Sequence, residues 1–234
     1  MTDDADGRDP HAVAPDGDAT GARVDVRDTF ERIADHFAET RARPWPEVES
    51  FLADRRGQTA LDLGCGNGRH AELLADRAAR VVGVDVSARL LAIAVERARD
   101  RGYDGDFHPV RGDATALPLR ADSTDLALYV AALHHLSVGD ARRSLADLAR
   151  VLAPGGEALV SVWSTAHDRF DRTAGFDTTV DWTLPGGETV PRYYHVYAPD
   201  EFRALLEASP LALRTFQVSS GNCYATVAVE RKRT

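Results

Sequence analysis

The 234-residue chain is almost without lysine: Lys232 is the only one, against 27 arginines, while 26 aspartates and 11 glutamates leave a net charge of −9. High-GC codon usage would turn lysine into arginine and enrich alanine, but it does not explain the aspartate excess. The expected source is therefore a halophile. At high salt the screening length falls to ~3 Å at 1 M and phosphate contacts weaken steeply. An acidic protein there can bind nucleic acid only if stacking and shape supply what Coulomb attraction does not. Cysteine is scarce too. Cys65 and Cys223 alone exclude a disulfide scaffold and an internal zinc site, so no metal is expected. No run approaches the ~20 apolar residues that span a bilayer. The opening MTDDADGRDPHAVAPDGDATG is acidic and has no apolar stretch, unlike a secretory signal, so a cytoplasmic location is expected. Residues 1–22 are poor in large apolar side chains and read as a disordered acidic tail, with 23–234 as one domain.

What is present centres on ALDLGCGNGRH, Ala60 to His70. A short apolar run ends in Asp62 and is followed by Gly64, Gly66 and Gly68. Glycine tolerates positive φ and lets backbone N–H groups approach a ligand that a Cβ would hold off. A dinucleotide fingerprint would place its third glycine one residue later, where Arg69 stands. Seventeen residues past Gly68 a second apolar run, VVGVDVS, places Asp85 where a nucleotide-binding βαβ unit carries its ribose carboxylate. A third acid, Asp113, follows the strand-like FHPV.

Strand and helix alternate from Thr59 onward, which predicts a mostly parallel sheet covered on both faces. Strands read as 59–63, 80–85, 107–110, 124–130, 157–163, 211–219 and 223–229. Phe30, Ile33, Ala34 and Phe37 recur at helical spacing, and a short second helix follows around Val48, Phe51 and Leu52. Leu90 to Ala98, Ala141 to Leu152 and 199–208 complete the helices, with a turn at Pro154-Gly155-Gly156. The stretch 164–198 has no clear period. At that length it is too long for an ordinary connection and is rich in aromatics, so it reads as a substrate-side loop.

The order of these motifs resembles the class I S-adenosylmethionine-dependent methyltransferases. That resemblance implies an α/β Rossmann-like fold with a seven-stranded, mostly parallel sheet and helices on both faces. It implies S-adenosylmethionine as cofactor, held by Asp62, Gly64, Gly66, Gly68, Asp85, Asp113 and Ala114. Further segments narrow it: RIADHFAETRARPWPEVESFL (Arg32 to Leu52), the AxxHH of Ala131 to His135, PRYYHVY (Pro191 to Tyr197) and SSGNCYATV. Together they are similar to the wobble-uridine tRNA carboxymethyl methyltransferases, which include the methyltransferase part of an animal fusion with an AlkB-type oxygenase. The chain departs from that family at Cys223, where a tryptophan often stands, and at Asp181-Trp182, where P-W is usual.

This second resemblance implies methyl transfer to the carboxylate of 5-carboxymethyluridine in a tRNA anticodon loop. Arg41, His135 and Arg192 are the catalytic candidates, with Arg41 and Arg192 as holders of the carboxylate. Arg43, Trp45, His134, Tyr193, Tyr194, His195 and Asn222 are candidate substrate contacts. Each arginine could equally be an ordinary ion-pair partner and Trp45 a core residue. Of His134 and His135, one should face the pocket, and the second is preferred. Relatives work with a small zinc-ribbon activator, for which the edge strand near 106–110 is the expected dock. Two other readings fit the core motifs: a small-molecule (for example quinone-precursor) methyltransferase, and a non-catalytic cofactor- or RNA-binding module.

Overall fold

The apolar runs become strands because each is short, carries valine and other apolar side chains that fit a buried pleated surface, and is closed by a polar turn. In the computed structural model, which describes residues 25–231, the strands are β1 (Gly57–Leu63), β2 (Ala78–Asp85), β3 (Phe107–Arg111), β4 (Thr124–Tyr129), β5 (Leu152–Trp163), β6 (Phe176–Thr183), β7 (Thr189–Val196), β8 (Ala212–Ser219) and β9 (Asn222–Ala228). The acidic tail expected at 1–22 lies outside the described residues. Seven strands form one sheet in the order β3-β2-β1-β4-β5-β9-β8. The first five are mutually parallel, and β9 runs antiparallel to both β5 and β8. This is the mostly parallel seven-stranded sheet expected. Pro154-Gly155-Gly156 does not end a helix in a separate turn; it lies inside β5, where the pairing with β4 shifts register.

Alternate residues feed two cores, as the two-residue period of a strand requires. Leu61, Leu63, Ala127, Tyr129, Val160 and Val162 face α5 (Val138–Val151) and α6 (Pro199–Glu207). Ala60, Val81, Leu126, Leu128 and Leu159 face α2 (Pro46–Leu52), α3 (Ala71–Ala75) and α4 (Ala88–Arg101). Ser87 starts α4 by accepting a bond from the Leu90 N–H, and Gly102, at φ +76°, ends it.

α1 (Val26–Thr40) opens with Asp25 accepting bonds from the N–H groups of Arg27 and Asp28. Glu31 on α1 accepts from the Ser87 hydroxyl at 2.5 Å and the Arg89 N–H at 3.2 Å, and Asp35 pairs with Arg89 at 2.6 Å. The other side of α1 meets β6 and β7, which form a separate antiparallel hairpin where the sequence predicts a substrate-side loop. Its strands, FDTTVDWT and TVPRYYHV, bury mainly one face, and the second carries Pro191, so neither resembles the continuous apolar runs of the main sheet. Trp182 and Val190 pack on Ile33, Phe30 and Phe37 of α1. Val180, Tyr194 and Val196 pack on Trp163, Phe170 and Phe176. Full burial of one such side chain contributes roughly 1.5–3 kcal/mol, enough in sum to fix the hairpin over the sheet's carboxyl edge. No helix among the described residues is long and apolar enough to cross a membrane.

Candidate active site

A cleft of about 460 Å³ opens where Leu63, Asp85, Tyr129 and Trp163 end their parallel strands, roofed by α1 and walled by β7. Such a crevice beyond the carboxyl ends of the strands is where open α/β sheets bind ligands. Gly64 and Gly66 form its floor, and they and the following Gly68 all have positive φ, at +70°, +52° and +75°. A Cβ at Gly64 would stand 2.5 Å from that of Ala132. Gly66 points its N–H at Asp85 Oδ2 (2.8 Å), and the Ser87 N–H donates to Oδ1 (2.9 Å). Burial raises the pKa of Asp85 against those bonds, which lower it. Asp113, beside Ala114 on the wall, accepts from the N–H and hydroxyl of Thr115. Two of the expected cofactor residues lie behind this surface. Gly68 backs onto Ala94 of α4. Asp62 is buried beneath the loop, where desolvation and the nearby Asp85 push its pKa up to about 7 against the pull of Arg69.

Trp45 and His70 form the wall beside the loop, 7% and 5% exposed, with ring centres 6.1 Å apart. Arg69 lies over the Trp45 ring at 5.1 Å. The indole Nε1 of Trp45 and Nε2 of His70 have no hydrogen-bond partner among the described residues. Burial holds His70 well below the ordinary histidine pKa, so it is neutral. Buried polar atoms are rarely left unmatched, so two on one cleft wall point to a polar ligand there. Asn222 is on the wall as well and donates to the Ser220 carbonyl at 3.2 Å.

Opposite, β7 presents Arg192 and Tyr194. Arg192 is 4% exposed, donates to the Tyr194 hydroxyl at 2.8 Å and lies over the Trp182 ring at 4.7 Å. Arg41, just past the end of α1, lies over the same indole at 5.3 Å. The Trp182 Nε1–H donates to His36 Nδ1 at 3.1 Å, fixing the ring that carries both guanidiniums. His134 and His135 both line the cleft, so the choice between them dissolves. His134 stacks on Tyr194 (4.9 Å, 30°), and its Nδ1 accepts the Trp163 N–H. His135 donates from Nδ1 to the Tyr193 carbonyl at 2.9 Å, which leaves Nε2 unprotonated in the neutral ring. Desolvation, with Arg192 adding to it, pushes the His135 pKa down to about 3. Burial holds His134 well down also.

Three expected contacts are elsewhere. On β7 the odd-numbered side chains point away from the cleft, because a strand turns successive residues to opposite faces. The Tyr193 hydroxyl donates to Asp177 (2.8 Å), and His195 sits between Asp177 (2.6 Å) and Glu201 (3.0 Å). Neither offers a stacking surface to a ligand in the cleft. Arg43 is exposed in the bend before α2 and is not on the wall. The cleft also uses residues that the sequence did not single out. Phe30 and Phe37 read only as helix core, and Arg69 and His70 merely follow the glycines. Ala131 holds a left-handed φ of +54° with its N–H on Ser161 Oγ, and alanine carries no signal for that conformation.

Residues 60–156 match the family model described as a methyltransferase domain. The tRNA (carboxymethyluridine(34)-5-O)-methyltransferase ALKBH8 of Macaca fascicularis is 35% identical over 159 residues, 66% of this chain. The chain spans only 22% of that protein's length. The tRNA (carboxymethyluridine(34)-5-O)-methyltransferase of Schizosaccharomyces pombe is 28% identical over 210 residues, covering 79% of this chain and 87% of that one. Among solved structures, a chain of the Haloferax volcanii complex containing the Trm112 methyltransferase activator superposes with a TM-score of 0.66 at 17% identity, over 89% of this chain and 99% of that one.

Proposed function

We propose that the chain is a class I S-adenosylmethionine-dependent methyltransferase domain and that it methylates the carboxylate of 5-carboxymethyluridine at the tRNA wobble position, giving the methyl ester. The observation that carries this reading is a pair of guanidiniums on one indole, with no histidine beside them, among the described residues, basic enough to take a proton at neutral pH. Arg41 and Arg192 rest on one indole, and both cleft histidines next to them are neutral, His135 with a pKa near 3. A carboxylate ionises at about pH 4, so it attacks without losing a proton and needs no base. A hydroxyl or ring nitrogen would need one.

The residues present fit the cofactor. The positive-φ glycines leave room above the loop, Asp85 and Asp113 offer carboxylates for hydroxyl and amine donors, and Trp45 Nε1 and His70 Nε2 await polar partners. S-adenosylmethionine supplies the sulfonium methyl that is transferred. Arg192 and Arg41 hold the substrate carboxylate by charge-assisted bonds and aim one oxygen. Tyr194, stacked on His134 and with Arg192 over its ring, forms part of the aromatic wall against which the uracil ring would lie. Phe30 and Phe37 exclude water above the reacting atoms. Positioning and dryness then do most of the catalysis.

An activator subunit would lie along β3, the outer edge of the sheet. Phe107 is only 5% exposed and belongs to the core under α4, so the dock there would rest on the backbone and Val110. Pro109 removes one edge donor, which leaves a short stretch for pairing. Co-expression with a small zinc-ribbon subunit should raise solubility and turnover together; full turnover by the chain alone would remove the partner. The function itself is tested by mass spectrometry of wobble nucleosides from a deletion strain. Carboxymethyluridine without its methyl ester supports the reading, and an unchanged ester refutes it.

A further inference from the structure

The net charge of −9 makes RNA binding by this chain a local problem, and the cleft rim shows a local answer. Among the described residues its wall carries five arginines (27, 41, 69, 169 and 192) against Asp25, Asp85 and Asp113, with no glutamate or lysine. Four of these have places above: Arg69 beside the glycine loop, Arg41 and Arg192 on Trp182, and Arg27 bonded to Asp25 and Asp28. Arg169 stands apart from them, on the segment between β5 and β6. Its guanidinium lies over the Trp163 ring at 5.4 Å, where β5 enters the cleft.

That segment is held in place rather than draped. Ser164 N–H donates to the Gly221 carbonyl and Thr165 N–H to that of Tyr197. The Arg169 N–H itself donates to His167 Nδ1 at 3.1 Å. Trp163, His167 and Phe170 contact one another edge to face beneath it. Three residues on, exposed Arg172 lies over the Phe176 ring at 4.6 Å. The result is a pair of planar cations laid on aromatic rings, Arg169 on the cleft wall and Arg172 three residues beyond it.

We propose that Arg169 and Arg172 grip RNA backbone phosphates next to the nucleotide that enters the cleft, Arg169 the inner one and Arg172 the outer. The proposal rests on the tRNA reading above. A planar guanidinium matches a phosphate with two parallel bonds, and stacking on a ring fixes it before the RNA arrives, which lowers the ordering cost. Asp168 and Asp171, both exposed, leave the segment without net charge. Attraction therefore acts only at contact, with little long-range steering.

The test is fluorescence anisotropy with an anticodon stem-loop RNA bearing carboxymethyluridine, titrated over a range of salt. Arg169→Ala should weaken binding about tenfold at low salt and flatten the slope of log K against log salt by about one. Arg169→Lys should keep the slope while losing part of the affinity. Calorimetry with S-adenosylmethionine reports whether the cleft is intact, since a merely structural role would move cofactor affinity and leave the salt slope alone. If the Arg169→Ala/Arg172→Ala double variant binds the RNA with wild-type affinity and slope, the grip is wrong and the tRNA reading survives. If the wild-type protein does not bind this RNA, the tRNA reading falls and takes the grip with it.

Discussion

His135→Gln should make the protein less sensitive to acid. In the folded state His135 is neutral down to a pKa of about 3, because burial and the nearby Arg192 oppose its charging. In the unfolded chain the same ring titrates near 6.5. A histidine with a lowered folded pKa contributes stability that is fully present above the unfolded value. That stability is lost as pH falls from about 6.5 toward about 3, since only the unfolded state takes up the proton there. At pH 5 the unfolded ring is charged about 30:1 while the folded ring is almost wholly neutral, which by linkage costs about 2 kcal/mol; at pH 7.5 the cost is close to zero. Urea unfolding of both proteins at pH 7.5 and pH 5 measures the difference. The variant should lose about 2 kcal/mol less than the wild type over that interval, whatever its stability at pH 7.5. Equal losses would mean that His135 is exposed or charged in the folded state. The cleft would then contain a usable base, and the argument for a carboxylate acceptor would fail with it. The activity profile gives an independent reading. Methyl transfer should be flat from about pH 6 to 9, and a tenfold rise per unit through that range would indicate proton removal in catalysis.

Asp85→Ala should abolish S-adenosylmethionine binding by calorimetry, because bonds to a charged group are worth ~1.5–3 kcal/mol each and the Gly66 and Ser87 N–H groups lose their shared acceptor; unchanged affinity would refute the cofactor site. Arg192→Ala should lower kcat for carboxymethyluridine RNA by about 10²-fold, the scale of a misplaced reacting group, with a smaller effect on cofactor affinity. Arg192→Lys should rescue it only partly, since an ammonium cannot reproduce the planar fork. Gly64→Ala forces a side chain to φ +70° and onto Ala132. The left-handed backbone costs ~1–2 kcal/mol and overpacking ~1–3 kcal/mol, so thermal unfolding should shift down by several degrees together with cofactor affinity.

The main sheet and the glycine-lined end of the cleft were legible in local sequence. Strands such as ALDL and VVGVD are buried on both faces, so their apolar runs are continuous and visible locally. Asp85 lies at a strand end, and its place follows from counting along one βαβ unit. Gly64 and Gly66 announce their backbone conformation by their residue type. What lay beyond reading was whatever depends on a partner distant in the chain. The hairpin of β6 and β7 buries one face against α1, through pairs such as Trp182 with His36, 146 residues apart. Its strands therefore look polar and loop-like. The same alternation decides that Tyr194 meets the cleft while Tyr193 and His195 turn to Asp177, a choice that the run RYYH does not contain. The neutrality of His135 is likewise a property of burial and of Arg192, not of the HH pair. Residue types set which chemistry is available, and only packing at long sequence separation sets which side chains share one dry space.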